Sequence, residues 1–327
     1  MDNILKYLEN TAEKFPDKTA VDDGNQQFTY QELLNRARHF GLSFLNRTEP
    51  GRPVAILHEK SSEVLSAMFG VVYAGCFYVM IDPEQPLERL KDILTVLETD
   101  LVITDSTYRH QLDDAGYQGQ IYLLEEEPSD EAVTAQELDK LMERRSFAKN
   151  TDLLYGIFTS GSTGKPKCVA VSHQAVIDFI GHFTKQFQIT DRDRIGNQAP
   201  FDFDVSVKDI YSAITTGATL VLVPKRLFAL PPKLLDYLCD KKVNAVHTGI
   251  NGSDRSAFLR CVYLHESRII RQRISLLVGV DYSFYQFFLE AQRHEIGREI
   301  ASEEITVRHR VDCYLFSFVI ESFRRIE

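Results

Sequence analysis

Tyr155-Gly-Ile-Phe-Thr-Ser-Gly-Ser-Thr-Gly-Lys-Pro-Lys167 is the segment on which the reading of this 327-residue chain turns. It opens as an apolar strand over 153–159 and passes into a loop of glycines, hydroxyls and two lysines. Gly161 and Gly164 let the backbone turn tightly and approach a ligand with no side chain in the way. Thr159, Ser160, Ser162 and Thr163 add hydroxyl donors, and backbone N–H groups in such a turn form an anion nest. Lys165 and Lys167 bring positive charge suited to a polyphosphate. Pro166 follows Lys165 where a Walker A loop requires Ser or Thr, so the loop is of another kind. Composition alone would equally describe a flexible connector.

Outward from this loop, strand and helix patterns alternate. On the N-terminal side the pattern predicts strands at 19–22 and 26–30, a helix at 30–45, a strand at 53–58, a helix at 61–74 and a strand at 76–82. A helix at 87–97 and a strand at 101–105 follow, then an acidic surface loop at 125–130 and another helix. Past the loop come strand 169–172, helix 174–187, strand 195–199 and helix 206–216. Strand 219–223, helix 232–241 and strand 245–247 complete the series. Val54-Ala55-Ile56-Leu57 is apolar at every position, as in strands buried on both faces. The expected fold class is α/β, with layered parallel-rich sheets flanked by helices.

The string Thr-Ser-Gly-Ser-Thr-Gly-Lys-Pro-Lys over 159–167 resembles the signature phosphate loop of the adenylate-forming, AMP-binding superfamily. Its members include amino-acid adenylation domains of nonribosomal peptide synthetases, D-alanine–carrier-protein ligases, acyl-CoA synthetases and luciferases. Cys168 departs from the pattern, standing where the family usually has Gly; this puts close backbone packing in question but removes no phosphate ligand. Phe28-Thr29-Tyr30-Gln31-Glu32-Leu33 and the run from Ala74 to Pro83 resemble two further common blocks. Phe77, Val79 and Ile81 are also what any buried strand would show, so these blocks speak to fold and not to chemistry. The resemblance implies the large N-terminal domain of such enzymes, incomplete here, over residues 1–248.

Phe201-Asp202-Phe203-Asp204-Val205-Ser206 resembles the Phe-Asp-x-Ser block of the amino-acid-activating members, in which the carboxylate binds the substrate's α-ammonium group. Here that carboxylate is Asp204, beside Phe203. A carboxylate in an apolar pocket suits a cation, because a charge-assisted hydrogen bond is strong away from water. The plainer alternative is that Asp204 or Ser206 caps the next helix, with Ser206 to Asp209 resembling a capping box. Lys208 occupies a position that in the family faces the substrate side chain, where it would pair with an acidic or polar group. The simpler expectation is a solvated helix lysine, or a partner of Asp204 at i,i+4. His173 and His247 are expected to be structural or exposed, not catalytic bases.

The resemblance implies two half-reactions. An amino-acid carboxylate attacks the α-phosphate of ATP, with Mg²⁺, to give an aminoacyl-adenylate and pyrophosphate; a phosphopantetheinylated carrier protein then takes the aminoacyl group. Thr159, Ser160, Gly161, Ser162, Thr163, Gly164 and Lys167 would hold the phosphates, and Asp204 the amine. Two other readings stay open: a non-catalytic nucleotide or amino-acid binding remnant, and an acyl- or aryl-CoA ligase. Asp204 argues against the last, since a substrate without an amine leaves a buried carboxylate without a partner.

Residues 249–327 fit none of this. All 15 lysines and 11 prolines lie in residues 1–248, whereas the last 79 residues hold neither and contain 11 arginines. At the upstream frequency about five lysines and three or four prolines would be expected there. The resemblance also implies an Asn-x-Tyr-Gly-Pro-Thr-Glu-like segment and a later catalytic lysine, and neither is found in this tail. A shifted reading frame or a joined foreign segment is the expectation for it, a diverged helical cap the alternative. A helical stretch at 284–298 is the clearest local pattern in it. Unpaired sheet edges and poor solubility would follow from lost strands.

Bulk properties narrow the classes further. Hydrophobic residues make up 44% and charged residues 26%, ordinary for a globular protein. A net charge of −10 argues against a nucleic-acid partner, which needs clustered Lys and Arg. No apolar run is long enough to span a bilayer, and the first six residues lack the order of a signal peptide. The five cysteines, at 76, 168, 239, 261 and 313, lack metal-ligand or redox spacing and read as reduced thiols of a cytoplasmic protein.

Overall fold

The computed structural model describes residues 3–125, 132–146, 148–159 and 165–248, with two further strands at 257–262 and 273–277. In chain order its elements begin with α1 (Ile4–Lys14), β1 (Thr19–Asp22), β2 (Gln27–Thr29), α2 (Tyr30–Phe44) and β3 (Pro53–Leu57). Then come α3 (Ser62–Tyr73), β4 (Phe77–Ile81), α4 (Leu87–Leu97), β5 (Leu101–Thr104) and α5 (Arg109–Ala115). These lead to β6 (Gln120–Leu123), α6 (Ala135–Ser146), β7 (Leu153–Thr159), β8 (Lys167–Ser172) and α7 (His173–Gln186). The remainder is β9 (Arg194–Asn197), α8 (Val205–Thr216), β10 (Thr219–Leu222), a 3₁₀ turn (Lys225–Ala229), α9 (Pro231–Asp240), β11 (Ala245–Thr248), β12 (Ala257–Val262) and β13 (Arg273–Leu277).

Two compact units result: Met1–Asp193 with Ala199–Leu222, and Arg194–Gln198 with the chain from Val223 onward. The first unit carries a six-stranded sheet in the order β6-β5-β3-β4-β7-β8. Its strands pair in parallel except for the antiparallel pair β7 and β8. Every residue of β3 and β4 is buried, as the unbroken apolar runs require. Ala55, Val79 and Ile81 pack there with Leu90 and Ile93 of α4. In the same unit β1 pairs in parallel with β10 and antiparallel with β2.

The block at 28–33 is a helix start. Thr29 and Glu32 form a reciprocal capping box: the Glu32 amide donates to Thr29 Oγ1 (3.2 Å), and the Thr29 amide to Glu32 Oε2 (2.7 Å). The fully buried Tyr30 then donates its hydroxyl to the carbonyls of Ala213 and Ala218, which ties α2 to the end of α8. Helices α2 and α3 cross at two glycines. A Cβ on Gly70 would fall 2.3 Å from Phe40 Cβ, and one on Gly41 2.6 Å from Tyr73 Cβ.

Cys168 is accommodated by a second glycine. Its Sγ fills the space beside Gly156 on the neighbouring strand, where an added Cβ would lie 2.8 Å from that sulfur. The bulk gained at 168 is therefore taken up at 156, and the β7–β8 ladder stays intact from Gly156↔Ala170 to Thr159↔Lys167.

His173 is buried and structural, as expected from sequence. Its Nδ1 accepts from the Ile4 amide in the first turn of α1 (3.4 Å). Burial pushes its pKa down from 6.5 to about 4; Asp152 opposes the shift and Arg145 adds to it. A depressed folded pKa means the neutral ring stabilises the fold fully above pH 6.5, and that contribution is lost as pH falls towards 4. Between pH 7 and pH 5 the wild type should lose about 2 kcal/mol more than H173Q in urea unfolding. Equal losses in the two proteins would show that the ring titrates freely in the fold.

In the second unit β11 pairs in parallel with β9 and antiparallel with β12, which pairs in turn with β13. This corrects one expectation for the tail: the β11 edge is paired, because Ala257–Val262 returns along Ala245–Thr248. The segment at 284–298 lies outside the described residues.

Candidate functional site

Strand β7 ends at Thr159 and β8 begins at Lys167, and the two residues face each other across the ladder. The Thr159 hydroxyl donates to the Lys167 carbonyl (3.5 Å). The hairpin thus closes the base of the loop, with the exposed Thr159, Lys165 and Lys167 around it. Ser160, Gly161, Ser162, Thr163 and Gly164 lie outside the described residues. Two exposed lysines at one hairpin end suit a polyanion. Among the described residues no group of three His, Cys, Asp or Glu side chains could hold a metal ion.

Helix α8 begins beside this strand. Asp204 is its N-cap by position, but the side chain makes no capping hydrogen bond and is exposed. Ser206 is not a cap either. It lies within the helix, and its Oγ donates to the Phe203 carbonyl (2.7 Å). The capping alternative read from the sequence is thereby overturned for both residues. Phe203 precedes Asp204 and is 56% exposed, a large apolar ring left against solvent.

Asp204 acts electrostatically on Tyr155 of β7, whose hydroxyl pKa is pushed up to about 12, first by burial and then by this negative charge. The Tyr155 ring stacks on Tyr78 of β4 at 5.9 Å, and the Tyr78 and Tyr211 hydroxyls share a hydrogen bond of 2.8 Å. Burial drives the Tyr78 and Tyr211 pKa values upward, so both remain neutral donors and acceptors. Tyr155 and Thr159 lie four residues apart on one face of β7, about 13 Å at the strand rise. One strand therefore joins the surroundings of Asp204 to the end of the β7–β8 hairpin.

Lys208 differs from its simplest expectation: it is not solvated but only 6% exposed. Burial lowers its pKa, while Asp209 and Asp204 oppose that shift. A second lysine joins this cluster, one that sequence reasoning missed. Lys60, between β3 and α3, donates to the Ala199 carbonyl (3.2 Å). Burial lowers its pKa to about 7 against the pull of Asp209, which is itself fully buried. The available signal was a lysine three residues past the apolar β3 run, at the carboxyl edge of a parallel sheet, where α/β ligand sites form.

Residues 8–248 match the family described as AMP-binding enzyme. The chain belongs to the AMP-binding enzyme family. Tyrocidine synthase 1 of Brevibacillus parabrevis is 31% identical over 78% of this chain, an alignment that covers 24% of that protein. The D-alanine–D-alanyl carrier protein ligase of Listeria monocytogenes serotype 4a (strain HCC23) is 30% identical over 69% of this chain and 44% of its own length. Among solved structures, the nonribosomal peptide synthetase FmoA3 in its alpha-methyl-L-serine-AMP bound form matches with a TM-score of 0.64 and 26% identity. That match covers 74% of this chain and 26% of the synthetase. The chain thus spans about a quarter of the synthetases and under half of the ligase. The family match ends at residue 248, where lysine and proline disappear from the sequence. No helix among the described residues is long and apolar enough to cross a membrane.

Proposed function

We propose that this chain binds ATP at the β7–β8 loop and an amino acid at Asp204, for attack of the amino-acid carboxylate on the α-phosphate. The oxygen–phosphorus bond formed releases pyrophosphate and leaves an aminoacyl-adenylate. A carrier-protein phosphopantetheine thiol would then attack the acyl carbon and release AMP. The carrying observation is Asp204: a carboxylate at a helix start, unused as a cap, next to a neutral tyrosine and a buried lysine. Such a group is available to a substrate ammonium, and phosphoryl transfer asks the protein mainly for positioning and charge. Phe203 and Lys208 are the proposed neighbours of the substrate. Thr159, Ser160, Gly161, Ser162, Thr163, Gly164 and Lys167 are the proposed phosphate cradle.

Amino-acid-dependent ATP–pyrophosphate exchange, run beside equilibrium dialysis with radiolabelled ATP, separates the readings. Saturable ATP binding with amino-acid-dependent exchange is the expected result. Binding without exchange would mean that the chain is a non-catalytic binder. Exchange driven by fatty or aryl acids and not by amino acids would overturn the assignment of Asp204.

A further inference from the structure

Asp204 carries the proposed amine site, yet its side chain takes no part in capping the helix that bears it. The position of its carboxylate is set by the backbone that leads into α8. Phe203 gives that backbone no apolar anchor, because its ring is left against solvent. The hold comes from further back. Phe201 is buried, and the Phe203 amide donates to the Pro200 carbonyl (3.3 Å). The Ser206 and Val207 amides continue this turn into the helix by donating to the carbonyls of Phe203 (3.0 Å) and Asp204 (3.1 Å). Just before the turn, the Ala199 carbonyl accepts from Lys60 Nζ (3.2 Å).

The charge of Asp209 on α8 acts on the same lysine. Ala199 lies five residues before Asp204 and Asp209 five residues after it, so one side chain acts on both flanks of the carboxylate. Lys60 stands on a rigid base. All of β3 before it is buried, and Ser61 after it caps the buried helix α3 by accepting from the Val64 amide (3.1 Å). The Ser62 amide in turn donates to Asp23 Oδ2 (3.0 Å). Burial lowers the Lys60 pKa to about 7, but an ammonium and a neutral amine both have an N–H to donate. The bond to Ala199 is therefore open to either form. From this arrangement we infer that Lys60 is a positioning residue: by holding Ala199 it sets where the Asp204 carboxylate meets a substrate ammonium. It acts through the backbone and not by contact with the substrate. A charged contact binds well only at a defined place, and a hydrogen bond from a rigid element supplies that definition. The inference rests on the amine-binding reading of Asp204 and adds to it the group that holds the carboxylate in place.

Two measurements on the full chain test this with K60M, which keeps an apolar stem and removes the donor. Hydrogen exchange read by mass spectrometry should be about tenfold faster at the amides of Phe203, Ser206 and Val207, and unchanged in β4. Isothermal titration uses the twenty protein amino acids and D-alanine as probes. The tightest binder of the wild type should bind K60M about tenfold more weakly, with ATP affinity unchanged. K60R, which keeps an N–H donor, should restore most of both. Faster exchange throughout the fold, or a K60M protein that does not fold, makes Lys60 a residue of general stability and overturns the inference. Weaker binding with no local change in exchange also overturns it, since Lys60 would then meet the substrate directly. Normal binding by K60M, with binding lost in D204A, removes the role of Lys60 and leaves the amine site standing. No binding of any probe by the wild type overturns the amine-site reading, and the positioning role with it.

Discussion

Asp204→Ala should weaken amino-acid binding by about 100-fold or more while leaving ATP affinity and fold stability nearly unchanged. The two halves of that expectation come from separate observations. The side chain is exposed and makes no capping hydrogen bond to α8, so its loss removes no interaction that holds the helix start. Substitutions at such surface positions usually stay within about 0.5 kcal/mol in stability. Binding is different, because a bound substrate would itself cover the Asp204 carboxylate, beside Tyr155, and displace the water that screens it in the free chain. Removing one partner of such a charge pair commonly costs about 2–5 kcal/mol, and 2.8 kcal/mol is about 100-fold. Asp204→Asn should recover little, since its amide can accept a hydrogen bond but carries no charge. ATP affinity, read by equilibrium dialysis, serves as the control, because the proposed phosphate contacts lie at the other end of β7. A variant that unfolds about 1 kcal/mol more easily and binds amino acids normally would assign Asp204 to the helix and not to a ligand.

The sheet was legible because its signals are local. The runs at 53–57 and 77–81 are apolar at every position, and only a strand covered on both faces uses such a run. Helix α4 was readable to its boundaries from its apolar spacing alone, Leu87–Leu97. Helices α1 and α5 and strand β6 carried no reading of their own; α5 and β6 span seven and four residues, too few for a period to stand out. At the site, the sequence showed which residue types are present but not what surrounds them. Asp204 as cap and Asp204 as ligand have the same sequence, and only the position of its carboxylate separates them. The burial of Lys208 depends on the packing around α8, and the pairing of Lys60 with Ala199 joins residues 139 positions apart. Nothing in a window of ten or fifteen residues encodes either. Cys168 illustrates the same limit, since the glycine that makes room for it is on the other strand of the hairpin.

Gly70→Ala and Gly181→Ala should change stability in opposite directions, although both replace a helical glycine. In an exposed helix interior the exchange gains up to about 1 kcal/mol, because alanine gives up less backbone freedom on folding. Gly181 fits that case: it lies within α7, and nothing stands within 4 Å of an added Cβ. Gly70 gains the same propensity but meets a neighbouring helix. Its Cβ would fall 2.3 Å from Phe40 Cβ, 3.1 Å from the Gly41 amide nitrogen and 3.2 Å from the Ala37 carbonyl oxygen. None of these is the free end of a side chain, so no rotamer change relieves the overlap. Helices α2 and α3 must instead move apart, and the packing of Phe40 and Tyr73 at the crossing loosens with them. Overpacking of this kind typically costs about 1–3 kcal/mol and sometimes more, and rigid backbone partners place Gly70 at the upper end. After the propensity gain, a net loss of about 2–3 kcal/mol is expected for Gly70→Ala. Urea unfolding followed by circular dichroism reads both signs in one experiment, with Gly181→Ala as the internal reference for propensity. A Gly70→Ala midpoint at or above that of the wild type would mean that α2 and α3 do not cross as closely as this packing requires. The capping box at Thr29 and the hydrogen bonds of Tyr30 would then have to fix α2 without the glycine contact.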